Sequence, residues 1–283
     1  MPQMKLSAAR RCIIMDIDIS ADSTPMHEAA HRGRVLALKQ LIDNGDPVNI
    51  VTVDNATPLH DACIHGNPHC VRLLLQAGAQ IDVRNIHGST ALCHACAVGS
   101  VACVMLLLEY GAKINPTLTA LTATPLHEAC NKGNSELVRL LIGRGAQLET
   151  YDIHTGSPLH TACAKGHTEC AFELLNAGAD VTASNFHTTA LHHAARSGSA
   201  DLIELLMEFG GDLYASDTKN KRPLDYTAPN SPARLTLAQY LNAPLSLQQL
   251  CRIRVRRTLG TRALEVLPQL GLCRLILDYL CYK

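Results

Sequence analysis

The sequence contains no tryptophan and only 3 phenylalanines in 283 residues, with aromatic residues at 4%. An aromatic-centred core is therefore excluded. Leucine, alanine and isoleucine must fill the interior, and leucine and alanine are strong helix formers. Net charge is also lacking, since 25 basic residues cancel 25 acidic ones. No overall field draws the chain to nucleic acid or an anionic membrane. No apolar run approaches the ~18 residues that a membrane-crossing helix needs. The short apolar piece Cys12–Met15 is interrupted at once by Asp16 and Asp18, too short for the core of a secretory signal. The expectation is an intracellular protein, cytoplasmic and with the nucleus also open to it. Its 12 cysteines are then expected to be reduced thiols. No glycine-rich phosphate loop stands out, and no nucleophile is paired with a base. No cofactor and no catalytic residue are expected.

What is present is a repeat, and repeats decide the architecture. Thr24-Pro25-Met26-His27 returns as Thr57-Pro58-Leu59-His60, Thr90-Ala91-Leu92-Cys93 and Thr124-Pro125-Leu126-His127. It continues as Ser157-Pro158-Leu159-His160, Thr189-Ala190-Leu191-His192 and, weakly, Arg222-Pro223-Leu224-Asp225. Successive starts are separated by 33, 33, 34, 33, 32 and 33 residues. A second marker keeps the same step at Gly45, Gly78, Gly111, Gly145, Gly178 and Gly210. Each period reads alike. A Thr or Ser caps a short helix, and proline takes the first helical position where its missing N–H is harmless. A glycine ends that helix, and a second helix carries an apolar stripe such as Cys70 to Leu75.

This pattern resembles the ankyrin repeat, a helix pair followed by a projecting hairpin. The units fall at about 22–54, 55–87, 88–121, 122–154, 155–186 and 187–219, with a degenerate capping unit over 220–242. One unit cannot bury its own apolar face, so the units stack into a solenoid with a continuous core. The arm over 1–21 holds Ile13, Ile14, Ile17 and Ile19 and is expected to cover the open end of the first unit, the alternative being that it lies along the concave face.

Fourteen histidines and the spacing Cys93-His94-Ala95-Cys96 suggest zinc, but the repeat explains them better. Cys63, Cys96, Cys130 and Cys163 share a register that holds Ala30 and Ala195 in other units, so it calls for a small buried residue. Cys70, Cys103 and Cys170 share another. The tetrapeptide histidine, in ankyrin proteins, bridges neighbouring hairpins by hydrogen bonds. No metal site is expected.

After Pro232 the period is lost. Ser246 with Gln249 forms a capping box, and Leu247, Leu250, Cys251 and Val255 recur at helical spacing. The set Ser246, Leu247, Cys251 and Val255 is similar to the Elongin-binding BC box. The ending Leu272 to Leu280 looks like the last helix of a SOCS box, placing that module at 243–283. The whole chain resembles the ankyrin repeat and SOCS box family, in its short six-repeat branch. The fold class implied is all-α: an ankyrin-repeat solenoid followed by a small three-helix SOCS box.

The resemblance implies a non-catalytic substrate receptor of an Elongin B/C–cullin–RING ubiquitin ligase. Elongin C would take Leu247, with Leu250, Cys251 and Val255 extending the contact. Leu267, Pro268, Leu270 and Leu272 would meet the cullin. Here the chain departs from the family, because Leu270-Gly271-Leu272-Cys273 lacks the two prolines of the usual Leu-Pro-Leu-Pro segment. The basic run Arg252, Arg254, Arg256, Arg257 and Arg262 is expected on the solvated side of the tail helix. Irregular hairpins mark Leu118, Leu121, Phe186 and His187 as candidate substrate contacts. Two other readings stay open: a tail that merely caps the stack, and a free ankyrin scaffold or inhibitor with no ligase.

Overall fold

The computed structural model describes residues 23–116, 123–152, 155–185, 187–243 and 245–282. Six helix pairs follow one another: α1 (Pro25–His31) with α2 (Val35–Asp43), α3 (Pro58–Ile64) with α4 (Pro68–Gln76), and α5 (Ala91–Val98) with α6 (Val101–Glu109). Then come α7 (Pro125–Lys132) with α8 (Ser135–Gly143), α9 (Pro158–Lys165) with α10 (Thr168–Asn176), and α11 (Ala190–Ser197) with α12 (Ala200–Glu208). First helices pack on first helices of adjacent units, and second helices pack likewise, α2 on α4, α4 on α6, α8 on α10 and α10 on α12. In the seventh unit the first helix shrinks to one 3-10 turn, Pro223–Tyr226, while the second survives as α13 (Pro232–Asn242). The tail holds α14 (Leu247–Leu259), α15 (Ala263–Val266) and α16 (Arg274–Leu280). Among the described residues the only paired strands are β1 (Ser184–Asn185) and β2 (Thr188–Thr189), a two-residue ladder at one hairpin. No described helix is long and apolar enough to cross a membrane.

The tetrapeptide does two jobs. The cap N–H of Thr57, Thr124, Ser157 and Thr189 donates to Nδ1 of the histidine three residues on, at 3.1, 3.3, 3.3 and 3.2 Å. That leaves Nε2 as the protonated nitrogen of a neutral ring. Nε2 then donates to the backbone of the next unit: His27 to Ala56 O at 3.0 Å, His60 to Ser89 O at 3.3 Å, His127 to Gly156 O at 2.9 Å and His192 to Lys221 O at 3.1 Å. Burial pulls the pKa of all four rings down, in keeping with neutral imidazoles. The expected bridge between hairpins is therefore present at these four units, and their histidines are spent on it; in the fifth unit His160 makes the cap, but its buried Nε2 has no hydrogen-bond partner. In the third unit Cys93 stands in the histidine position, and its Sγ reaches Ala123 O at 3.8 Å.

The core is leucine, alanine and cysteine. Cys63, Cys96, Cys130 and Cys163 are fully buried, as are Cys70, Cys103 and Cys170. Ala30 and Ala195 occupy the first of these registers elsewhere and are equally buried. Burial pushes the Cys63, Cys96, Cys130 and Cys163 thiols up, so they pack as small apolar groups. Among the described residues no three metal-binding side chains converge. In the worn seventh unit Asp225 replaces histidine and still caps, accepting from Arg222 N at 2.8 Å. The arm over 1–21 lies outside the described residues.

Candidate functional site

Helix α14 starts as its sequence dictates. Ser246 Oγ accepts from Gln249 N at 3.3 Å, and Gln249 Oε1 accepts from Ser246 N at 2.8 Å. The helix then divides its side chains between two faces. Arg252, Ile253 and Arg256 are buried. On the opposite side Leu247 is 78% exposed, Leu250 is 49% exposed and Cys251 is exposed. Val255 turns partly inward against a small tail core of Ala263, Leu267, Leu280 and Cys281.

Two expectations need correction. Arg252 and Arg256 are not on a solvated side: each is only 7% exposed. Arg256 sits there because the carbonyl ends of helices need donors, whereas Arg252 packs its guanidinium on aromatic rings. Arg256 Nη1 donates to Leu280 O at 3.1 Å at the end of α16, and Nη2 donates to Leu175 O at 3.4 Å and to Asn176 O at the end of α10. Arg252 lies over the Tyr282 ring at 3.9 Å and the Tyr279 ring at 4.7 Å, with Nη2 3.7 Å from Glu208 Oε2. Arg254, Arg257 and Arg262 remain exposed. The second correction is Leu267, which is fully buried in the tail core and offers no surface to a cullin. Pro268, Leu270 and Leu272 are exposed as that contact requires.

The tail sits on a particular seam. Gly45, Gly78, Gly111 and Gly145 end second helices with open space beside them. Gly178 and Gly210, in the same register, do not. A Cβ at Gly178 would collide with the Gly260 carbonyl, and one at Gly210 would lie 2.8 Å from Ile253 Cγ2. The missing side chains make room for α14 and its C-terminal turn. Tyr282 completes the seam: its ring stacks on Phe209 at 3.9 Å, and its hydroxyl donates to Glu208 O at 2.9 Å. The tail's buried face is thus fully used on repeats five and six. Leu247, Leu250, Leu270, Leu272, Leu275 and Ile276 of the tail stay bare. Sequence reasoning missed Leu275 and Ile276, which the spacing of α16 alone would assign to a core.

On the repeats, His187 is exposed in the hairpin between β1 and β2 with a left-handed φ of 61°. Leu118, Leu121 and Phe186 lie outside the described residues. The structure instead shows Val53, Ile86 and Tyr151 exposed along the hairpins.

The geometry defines a stack of helix-pair units carrying a capped, outward-facing tail helix, and comparison with known proteins agrees. Models of ankyrin repeats in three copies match residues 7–85, 26–118, 79–152, 117–185 and 159–243, and a SOCS box model matches 243–281. Ankyrin repeat and SOCS box protein 13 of mouse is 57% identical over 280 residues, covering 99% of this chain and all of its own length. Ankyrin repeat and SOCS box protein 9 of mouse is 51% identical over 245 residues, 87% of this chain and 83% of that one. Among solved structures, the human ASB11 ankyrin repeat domain is similar with a TM-score of 0.73 and 38% identity, covering 79% of this chain and 100% of that one. The ankyrin repeat domain of Bcl-3 follows at a TM-score of 0.62 and 32% identity, covering 75% and 96%. This chain belongs to the ankyrin repeat and SOCS box family. As a class, that pairing builds substrate receptors of Elongin–cullin ubiquitin ligases, which are generally non-catalytic adaptors, and the box indicates Elongin B/C and a cullin as partners.

Proposed function

We infer that this chain is the substrate-recognition subunit of an Elongin B/C–cullin–RING ubiquitin ligase. Its repeats hold a protein substrate for ubiquitination and proteasomal degradation. The observation that carries the reading is the division of α14. One face is consumed by the repeats, and the other presents Leu247 at 78% exposure with Leu250 and Cys251 beside it. Elongin C takes Leu247 into an apolar pocket, worth roughly 1.5–3 kcal/mol for such a side chain. Val255 supports that contact from its half-buried position. Pro268, Leu270 and Leu272 lie on the exposed side of the tail and form the cullin contact. The absence of the two prolines weakens preorganisation there, so the choice of cullin rests on the leucines. Substrate contact falls on the hairpins, with His187 among its residues and Leu118, Leu121 and Phe186 on the same irregular units. The complex works in the cytoplasm and has access to the nucleus.

The test is affinity capture of the full chain, and of a variant lacking 243–283, with and without proteasome inhibition. Substrates are captured by both and accumulate under the inhibitor only with the intact tail. Capture of Elongins B and C equally well without the tail contradicts the reading. A free ankyrin scaffold or inhibitor is the other reading, and it leaves the bare leucines of α14 without a role.

A further inference from the structure

Resting on the ligase reading, a second consequence follows from the seam between tail and repeats. We propose that Arg256 and Tyr282 are positioning residues that lock the SOCS box onto repeats five and six, so that the angle between the substrate face and the ligase face is fixed and selects which lysines receive ubiquitin.

The contacts are those of a clamp rather than of a passive surface. One guanidinium joins the carbonyl ends of two helices from different modules. Arg256 donates to Leu175 O and Asn176 O of the fifth repeat and to Leu280 O of the tail. The neighbouring Arg257 donates to Gly210 O at 2.6 Å, reaching the sixth repeat. Two repeats are held at once, so the tail cannot pivot about a single point. Tyr282 closes the clamp from the other end of the tail. It packs against the core of the array, stacks on Phe209, bonds Glu208 O, and lies under Arg252. Its backbone φ is 55°, in the left-handed region that bulky side chains avoid. Such a conformation persists only where surrounding contacts over-determine it; here the stacking on Phe209 and the bond to Glu208 O cross the seam, while Arg252 holds the ring from within the tail. None of the bare leucines belongs to the clamp, so Elongin binding and positioning are separable.

A linker-borne tail would present the ligase to many lysines with similar effective concentration. A clamped tail concentrates it on a few. The chain's own lysines report this without knowledge of a substrate, since Lys39, Lys113, Lys132, Lys165, Lys219 and Lys221 are spread from the first repeat to the last.

The experiment uses the full chain co-purified with Elongins B and C, joined to cullin and RING protein and supplied with ubiquitin and its activating and conjugating enzymes. Modified lysines are counted by mass spectrometry for wild type, Arg256→Gln, Tyr282→Ala and Tyr282→Phe. A fifth form carries a Gly-Ser-Gly-Ser insertion after Ala243, lengthening the link between α13 and α14. In wild type the preference between most and least modified exposed lysines is expected to be about tenfold or more, the scale on which effective concentration responds to geometry. R256Q and Y282A flatten it severalfold at unchanged Elongin affinity. Y282F, which keeps the stacking, retains most of it. The insertion alone leaves the pattern unchanged, because the clamp and not the linker sets the angle. An unchanged pattern in R256Q and Y282A, or a flattened one from the insertion alone, overturns the proposal. Because the insertion spares every seam contact, it decides the matter even if R256Q and Y282A destabilise the tail. If wild type fails to assemble with Elongins, the ligase reading has failed and the positioning role falls with it. Assembly with an indifferent pattern sinks the positioning role alone.

Discussion

In the middle repeats each second helix gives three or four residues to a core that its neighbours complete. α4 buries Cys70, Val71, Leu74 and Leu75, and α10 buries Cys170, Ala171, Leu174 and Leu175. In the tail, α14 buries two arginines and one isoleucine, and α16 buries only Leu280. The array is held by apolar surface removed from water, one unit after another. The tail has an apolar core of a few residues and relies on charged and aromatic groups seated on its neighbour's helix ends. Leucine is available in both regions. The tail keeps Leu247, Leu250, Leu270, Leu272 and Leu275 on the outside, which makes sense only if another protein covers them. The difference separates a part that folds for its own stability from a part folded to be completed.

Four perturbations break or sharpen that contrast, given from the largest effect to the smallest. Leu141→Ala removes a fully buried side chain from α8. It should cost the array about 2–5 kcal/mol in denaturant unfolding, with Elongin capture by the folded fraction retained. Arg256→Ala leaves the carbonyls of Leu175, Asn176 and Leu280 without that donor, a loss of about 1–3 kcal/mol. It should show as faster hydrogen exchange in α14 and α16 while α3 to α8 stay protected.

The third is pH. Burial holds His94 and His193 down to about 4, against about 6.5 in an unfolded chain. Between those values the unfolded chain binds protons that the folded one refuses, so stability falls as pH drops from about 6.5 towards 4. Asp61 works the other way: burial raises it to about 7, so its contribution is present at low pH and lost as pH rises from about 4 to 7. Thermal midpoints of wild type should therefore fall more steeply below about pH 6.5 than those of a His94→Asn, His193→Asn double variant. Parallel curves would contradict this. The smallest effect belongs to Cys163→Ala, because the same register already holds Ala30 and Ala195. It should cost about 1 kcal/mol or less, with unchanged zinc content by elemental analysis.

The array was legible in the sequence because a single period repeats its reasons. Once Thr124-Pro125-Leu126-His127 is recognised as cap, helix start and inter-unit bridge, each copy predicts the next. The capping box at Ser246 was legible on the same local grounds, and an outward Leu247 was implied by the resemblance to the Elongin-binding box. The seam was not. Arg252 and Arg256 are four residues apart, as on any solvated helix face, and the carbonyls that Arg256 meets lie 80 and 81 residues away along the chain. Nothing local announces a partner at that distance. Gly178 and Gly210 look like the other repeat glycines in sequence and differ only in what rests on them. The Leu267-Pro268 pair suggests a surface position for Leu267, whereas its side chain clusters with Ala263, Leu280 and Cys281.

The central claim is tested most directly by titrating purified Elongin B/C into the full chain by calorimetry, beside the Leu247→Asp variant. The account predicts one-to-one binding with a negative heat-capacity change, the mark of apolar burial. It also predicts an affinity loss of at least about tenfold in L247D, from a side chain worth roughly 1.5–3 kcal/mol when buried. Binding that L247D leaves untouched, or no binding by the wild-type chain, would contradict it.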